Sequence, residues 1–148
     1  MNIERLKKQI TLSEGIRSQA YPDPLDPTNP NKMTIAIGHL IKLPDEEYLL
    51  KAKLKDYEIE QIFMNDLNQA IDDARKFIDE NSIHPRAFEI IVDMAFNLGL
   101  PRLSTFKRLK QALIDNNYVL ASEEMLASRW HRQLPHRSSR LAEEMRDI

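Results

Sequence analysis

Met33-Thr34-Ile35-Ala36-Ile37-Gly38-His39 alternates large apolar residues with small or polar ones at period two, the pattern of a strand buried on one face. It stands nearly alone in the chain. Just before it, between Tyr21 and Asn31, four prolines (Pro22, Pro24, Pro27, Pro30) lie among Asp23, Asp26, Thr28 and Asn29, a composition that breaks helix and demands an exposed, turn-rich loop. On either side the period becomes helical. Ile3, Leu6 and Ile10 define a helix over 3–13 that Gly15 stops. Tyr48 to Leu54 reads as a short helix, and Ile59, Ile62, Phe63, Ala70, Ile71, Ala74, Phe77 and Ile78 share one face of a long one from about Asp56 to Asp79. Pro85 and Gly99 mark the start and stop of the next helix. Ser104-Thr105 is expected to cap another that runs to Asp115, and two more span Tyr118 to Ala127 and Pro135 to Met145. There is no linker and no internal repeat. A small strand-and-loop region set among helices predicts an α+β fold, with the sheet segregated from the helical bundle and a cleft between the two parts as the natural binding site.

The 148 residues fit one domain, or two small lobes sharing a long element. With 42% hydrophobic and 30% charged residues, the chain is neither low-complexity nor disordered. The absence of cysteine excludes disulfides, thiolate metal sites and a cysteine nucleophile. The formal net charge is -2, which argues against wholesale attraction to DNA or an anionic membrane. Charge is unevenly distributed, however. Asp45 to Glu80 holds eleven acids against five bases, and Arg102 to Arg140 eight bases against three acids, so one end is expected to be basic. The first residues, Met1 to Lys8, lack the apolar core of a secretory signal, and no run reaches the ~18 apolar residues of a membrane span. The expectation is a protein held in a cytosol until something else releases it.

Two acids stand out. Glu14 falls at the carboxyl end of the first helix, where the negative pole of the macrodipole disfavours ionisation and helps keep a general acid protonated. Asp23 lies nine positions on, across a reversal favoured by Gly15 and Pro22, so it can return to face Glu14. One neutral and one charged carboxylate are the minimum equipment for glycoside hydrolysis. Spacing alone leaves open a helix-end Glu and a loop Asp with no chemistry. Other constellations are weaker. His131 and His136 do not have helical ligand spacing, so no metal or other cofactor is expected; Ser13, His39 and Asp23 lack a nucleophile elbow; and the basic region around Trp130 carries no known nucleic-acid module.

Three blocks carry a resemblance. Glu14-Gly15-Ile16-Arg17, Tyr21-Pro22-Asp23 and Thr34-Ile35-Ala36-Ile37-Gly38-His39 form the first. The second is Asp93-Met94-Ala95-Phe96-Asn97-Leu98-Gly99 with Leu103-Ser104-Thr105-Phe106, and the third is Ser128-Arg129-Trp130-His131-Arg132-Gln133-Leu134-Pro135-His136-Arg137. In order and wording the chain resembles the phage T4-type lysozymes, glycoside hydrolase family 24. The resemblance implies a lysozyme-like fold, mostly α-helical, with a small N-terminal antiparallel β-sheet lobe (13–58) and a long helix connecting it to a helical lobe (1–12 and 59–148). It implies a muramidase that cleaves the β-1,4 bond between N-acetylmuramic acid and N-acetylglucosamine with inversion. Glu14 would protonate the departing oxygen, Asp23 would activate water on the opposite face, and Thr34 would hold that water, with the two carboxyl groups roughly 6.5–9.5 Å apart. Asp26 is the rival for the second carboxylate, and Asp23 is preferred for its interval from Glu14. By the same analogy Arg137 pairs with Glu14, His39 and Asp66 form a structural ion pair, and Leu40, Phe96 and Asn97 contact sugar. Trp130 packs in the helical lobe rather than serving as a sugar platform.

Ala36 departs from the pattern, standing where the family carries glycine, and the stretches from His39 to Asp66 and beyond Arg140 are shortened. The setting this implies is a phage or prophage endolysin: a monomer with peptidoglycan as its partner, no nucleic acid and no stable membrane insertion, waiting in the host cytoplasm until a holin opens the inner membrane. The competing reading is a glycan-binding or effector protein of the same fold that does not cleave.

Overall fold

A computed structural model describes residues 1–148. Eight helices and one small sheet make up the chain: α1 Ile3–Glu14, β1 Arg17–Pro22, β2 Met33–Ala36, β3 His39–Leu40, α2 Asp56–Phe77, α3 Pro85–Leu98, α4 Leu100–Leu103, α5 Lys107–Ile114, α6 Tyr118–Leu126, α7 Arg129–Gln133 and α8 Pro135–Arg146. The fold is α+β and lysozyme-like, with a three-stranded antiparallel sheet in the order β1-β2-β3. No helix is long and apolar enough to cross a membrane. The chain divides into two compact units, residues 7–68 and residues 1–6 with 69–148, so α1 and α2 each contribute residues to both.

In the unit formed by 7–68, β1 is a strand that the sequence pattern does not predict. Its six residues Arg17-Ser18-Gln19-Ala20-Tyr21-Pro22 lie at the sheet edge and are half-exposed or exposed, so no apolar alternation marks them. Arg17 pairs with Ala36 and Tyr21 with Thr34, so β1 carries two more residues than β2 between the same rungs. The surplus breaks the register between Arg17 and Tyr21, and within it the Ser18 carbonyl accepts the Leu54 N–H at 2.9 Å. Ala36, wholly buried, has φ +59, a left-handed conformation that costs an L-residue roughly 1–2 kcal/mol and explains why glycine suits this position. The expected helix at Tyr48 to Leu54 shrinks to a 3-10 turn over Glu47–Leu50.

The proline-rich loop is a tandem array. Asp23-Pro24-Leu25, Asp26-Pro27-Thr28 and Asn29-Pro30-Asn31 repeat an Asx-Pro-X triplet three times. Each Asx carbonyl accepts the N–H three residues on: Asp26 N–H to Asp23 at 3.0 Å, Asn29 N–H to Asp26 at 3.2 Å and Lys32 N–H to Asn29 at 3.1 Å. Asx first and proline second is the sequence preference of a type I turn. This corrects the expectation of no internal repeat: a period of three residues is too short to stand out among so many prolines.

The unit formed by 1–6 and 69–148 is built around α3, whose residues from Ala87 to Ala95 are all buried. His84 caps it, its imidazole accepting the Arg86 N–H at 3.0 Å. The expected Ser104-Thr105 cap is not formed. An extra turn of helix, α4, intervenes; Thr105 instead donates its hydroxyl to the Arg102 carbonyl at 2.6 Å, and α5 begins uncapped after Phe106.

An apolar helix centre that carries acids must neutralise them, and α3 carries two, one turn apart. Glu89 receives Arg5 at 2.6 Å, Arg86 at 2.8 Å and the Asn2 N–H. Burial pushes the Glu89 carboxyl up, but the Asn2, Arg5 and Arg86 hydrogen bonds outweigh it and hold the pKa below the usual value. Glu89→Ala would take the carboxylate partner from the exposed Arg5 and one of two from Arg86, which keeps Glu144 at 2.5 Å, with an expected loss of about 3 kcal/mol from the charge-assisted bonds removed. In a chain of this size that lowers Tm by roughly 6–12 °C, and scanning calorimetry at neutral pH reads it directly.

Candidate active site

Glu14 is the last residue of α1, and Gly15, at φ +76, turns the chain out of the helix into β1. Its carboxylate lies against the β2–β3 turn. A Cβ added at Gly38 would stand 2.2 Å from Glu14 Oε2, so the bare glycine backbone is what makes room for the acid.

Thr34 lies on the middle strand, buried, with Tyr21 opposite it on β1 and Leu40 opposite it on β3. Directly opposed residues of an antiparallel pair share a face, so Tyr21, Thr34 and Leu40 form one row across the sheet. Asp23 follows two residues after Tyr21, and its N–H extends the ladder by bonding the Lys32 carbonyl at 3.0 Å. Alternation along the strand therefore returns Asp23 toward the Tyr21 face. Asp23 Oδ1 accepts the Leu25 N–H at 3.1 Å, which fixes the carboxylate plane. The rival, Asp26, is engaged within the loop: its Oδ2 accepts from Asn29 Nδ2 at 3.3 Å and lies 3.5 Å from Lys32 Nζ.

Tyr21 links these groups electrostatically. Its phenol is pushed above the ordinary value, first by burial and then by the negative charge of Glu14, while Arg17 opposes and Asp23 adds to the rise. Both carboxylates thus lie within electrostatic reach of one hydroxyl group. Arg17 sits over the Tyr21 ring, 5.6 Å from its centroid. In the sequence Tyr21 is only one letter of a motif; its place opposite Thr34 depends on a register that the irregular β1 conceals.

His39 lies at the start of β3, with Nδ1 2.7 Å from Asp66 Oδ2 on α2 and Nε2 2.9 Å from Glu46 Oε1. Glu46 is an addition to the expected pair. It is hooked to Lys42, whose N–H it accepts at 2.8 Å, and the Glu46 N–H returns to the Lys42 carbonyl at 2.7 Å. The Asp66 hydrogen bond raises the His39 pKa, burial opposes it, and the Glu46 bond adds to the rise. Glu46 itself is held below its usual value: burial pushes it up, but the Lys42 N–H and His39 prevail.

A raised imidazole pKa stabilises the fold fully below the unfolded value of about 6.5 and loses that contribution as pH rises through the folded pKa. The lowered Glu46 pKa works the other way, its contribution fading as pH falls below about 4.5. His39→Asn is therefore expected to cost about 3 kcal/mol near pH 5.5, where two charge-assisted bonds are lost, and progressively less in alkaline solution. Denaturant midpoints of both proteins between pH 5 and 10 check the convergence.

In the other unit, Arg137 on α8 is buried and reaches Asp93 Oδ1 with Nε at 2.9 Å and Nη2 at 2.7 Å. Asp93 is the second acid of α3. The motif that contains it does not name this arginine, although a charge inside an apolar run is the signal that such a partner exists. Trp130 is buried, donates its indole N–H to Asn97 Oδ1 at 2.9 Å and meets Phe106 edge to face at 6.4 Å, so it packs within the helical unit and offers no sugar platform. Asn97 and its neighbour Phe96, both half-exposed, lie at the end of α3.

A helix-ending Glu set against a glycine turn, an Asp just beyond the edge strand and a buried sheet threonine thus lie in one unit of a lysozyme-like α+β fold. The chain matches the Phage lysozyme family over residues 11–143 and belongs to it. It is similar to "Probable T4-type lysozyme 1" and "Probable T4-type lysozyme 2" of Dictyostelium discoideum, each 24% identical over 94% of this chain and 92% of the relative.

Proposed function

We propose that this protein is a muramidase that hydrolyses the β-1,4 bond between N-acetylmuramic acid and N-acetylglucosamine of bacterial peptidoglycan with inversion, acting as a phage or prophage endolysin. The observation that carries the reading is that Glu14 lies against the Gly38 turn of the same small sheet whose middle strand holds Thr34 and whose edge strand leads directly into Asp23.

Protonated Glu14 donates to the glycosidic oxygen as the C1–O4 bond breaks and its electron pair passes to that oxygen. Water enters from the opposite face. Its oxygen bonds to C1 and its proton passes to Asp23, whose Oδ1 is already occupied by Leu25 and whose Oδ2 takes the proton. The Thr34 hydroxyl orients the water. The product is an α-configured muramic hemiacetal; Glu14 regains a proton from solvent and Asp23 loses one, so the cycle closes without a cofactor. The family membership supports peptidoglycan as the partner.

In this reading the protein works as a monomer, waits in the host cytoplasm and reaches the wall after a holin opens the inner membrane. A suspension of purified walls tests the activity: wild type clears it, and Asp23→Asn clears it at least about 100-fold more slowly. Wild-type protein that sediments with walls without clearing them would establish the binding alternative instead.

A further inference from the structure

We propose that Asp26, Asn29 and Lys32 are positioning residues that hold Asp23 through the tandem Asx-Pro-X loop. The inference rests on the role given to Asp23 above.

Asp23 is the point where this loop both begins and closes. Its carbonyl accepts the Asp26 N–H at 3.0 Å, its own N–H bonds the Lys32 carbonyl at 3.0 Å, and its Oδ1 accepts the Leu25 N–H. Backbone and side chain of the base are therefore set by the same loop. Three prolines, Pro24, Pro27 and Pro30, fix φ at the second position of each turn, so the loop has few ways to relax locally. What remains is for the turns to slide against one another, and one cluster opposes that. Asp26, from the middle turn, accepts from Asn29 of the third turn at 3.3 Å and faces Lys32 at the closing end at 3.5 Å. The Asn29 side chain in turn accepts the Asn31 N–H at 2.9 Å.

Magnitudes separate a positioning role from a structural one. The Lys32 and Asp26 side chains are 48% and 40% exposed, so their ion pair adds little to global stability. A base displaced by about 1 Å, by contrast, can lose on the order of 100-fold in rate. Removing the cluster should therefore leave Tm nearly unchanged while kcat falls.

The experiment measures kcat, KM and Tm on soluble peptidoglycan fragments for wild type, Asp23→Asn, Asp26→Ala, Lys32→Ala, Lys32→Arg and the Asp26→Ala/Lys32→Ala double variant. The expected result is a kcat about tenfold or more below wild type for Asp26→Ala and Lys32→Ala, with KM within about twofold and Tm nearly constant. Lys32→Arg recovers most of the kcat, and the double variant falls no lower than the worse single. Single variants that retain wild-type kcat while Asp23→Asn is inactive would overturn the positioning role and leave the proposed function standing. A loss confined to KM, or one that Lys32→Arg does not recover, would overturn it as well. Full activity in Asp23→Asn would remove the role of Asp23 and this inference with it.

Discussion

Glu14→Gln is expected to slow wall lysis by about 10²–10⁴-fold, the contribution of a positioned general acid, with little change in thermal stability. The substitution keeps the shape of a side chain at the end of α1 and removes only the proton the reaction needs. N-acetylmuramic acid and N-acetylglucosamine are joined through a glycosidic oxygen, which would leave C1 as a poor alkoxide leaving group unless it is protonated as the bond breaks. Glu14 is the acid set against the Gly38 turn, and glutamine in its place has no proton to give. Parallel turbidity and calorimetry on the two proteins separate this outcome from misfolding. Lysis within about tenfold of wild type would mean that the proton comes from elsewhere.

Gly38→Ala tests the same acid without touching it. A methyl group at this position would lie 2.2 Å from Oε2, 2.6 Å from Cδ and 2.9 Å from Cγ of Glu14, so the carboxylate has to leave its place. Because the obstructing atoms are the far end of a flexible side chain, the fold survives. The stability cost is mainly that of an L-residue at φ +65, about 1–2 kcal/mol, or roughly 2–8 °C in Tm. If Glu14 is the proton donor proposed above, activity is expected to fall further, by about 100-fold, because its carboxyl group is displaced by on the order of an ångström. Gly15→Ala supplies the control. Gly15 has φ +76, but a methyl group there would meet nothing within 4 Å, so this variant carries the same conformational strain without the displacement. The two variants should melt alike and differ in lysis.

The long helices of this protein are legible in the sequence because their apolar faces recur over several turns, as in α2 and α3, and because Pro85 and Gly99 punctuate them. The short helices α4 and α7 are not, since four or five residues cannot establish a period. β1 is hidden for a different reason: its bulge and its edge position remove both the alternation and the burial that identify a strand. That strand sets the register that brings Tyr21 opposite Thr34, so motifs name the candidate acids but not the group that senses both of them. Glu46 leaves no trace because its approach to His39 depends on a loop reversal hooked through Lys42. Buried charges are half-legible. Glu89 and Asp93 interrupt an apolar helix and so demand cationic partners; Arg86, three residues before Glu89 on α3, is legible from helical spacing, whereas Arg5 and Arg137 are a matter of tertiary packing.

Following the anomeric proton of the new reducing end by NMR, within minutes of adding enzyme to purified peptidoglycan, tests the acid-and-water chemistry most directly. The α-anomer of muramic acid should appear first and the β-anomer only later, by mutarotation. First appearance of the β-anomer, or wall binding with no new reducing end at all, would contradict an inverting reaction run by Glu14 and Asp23.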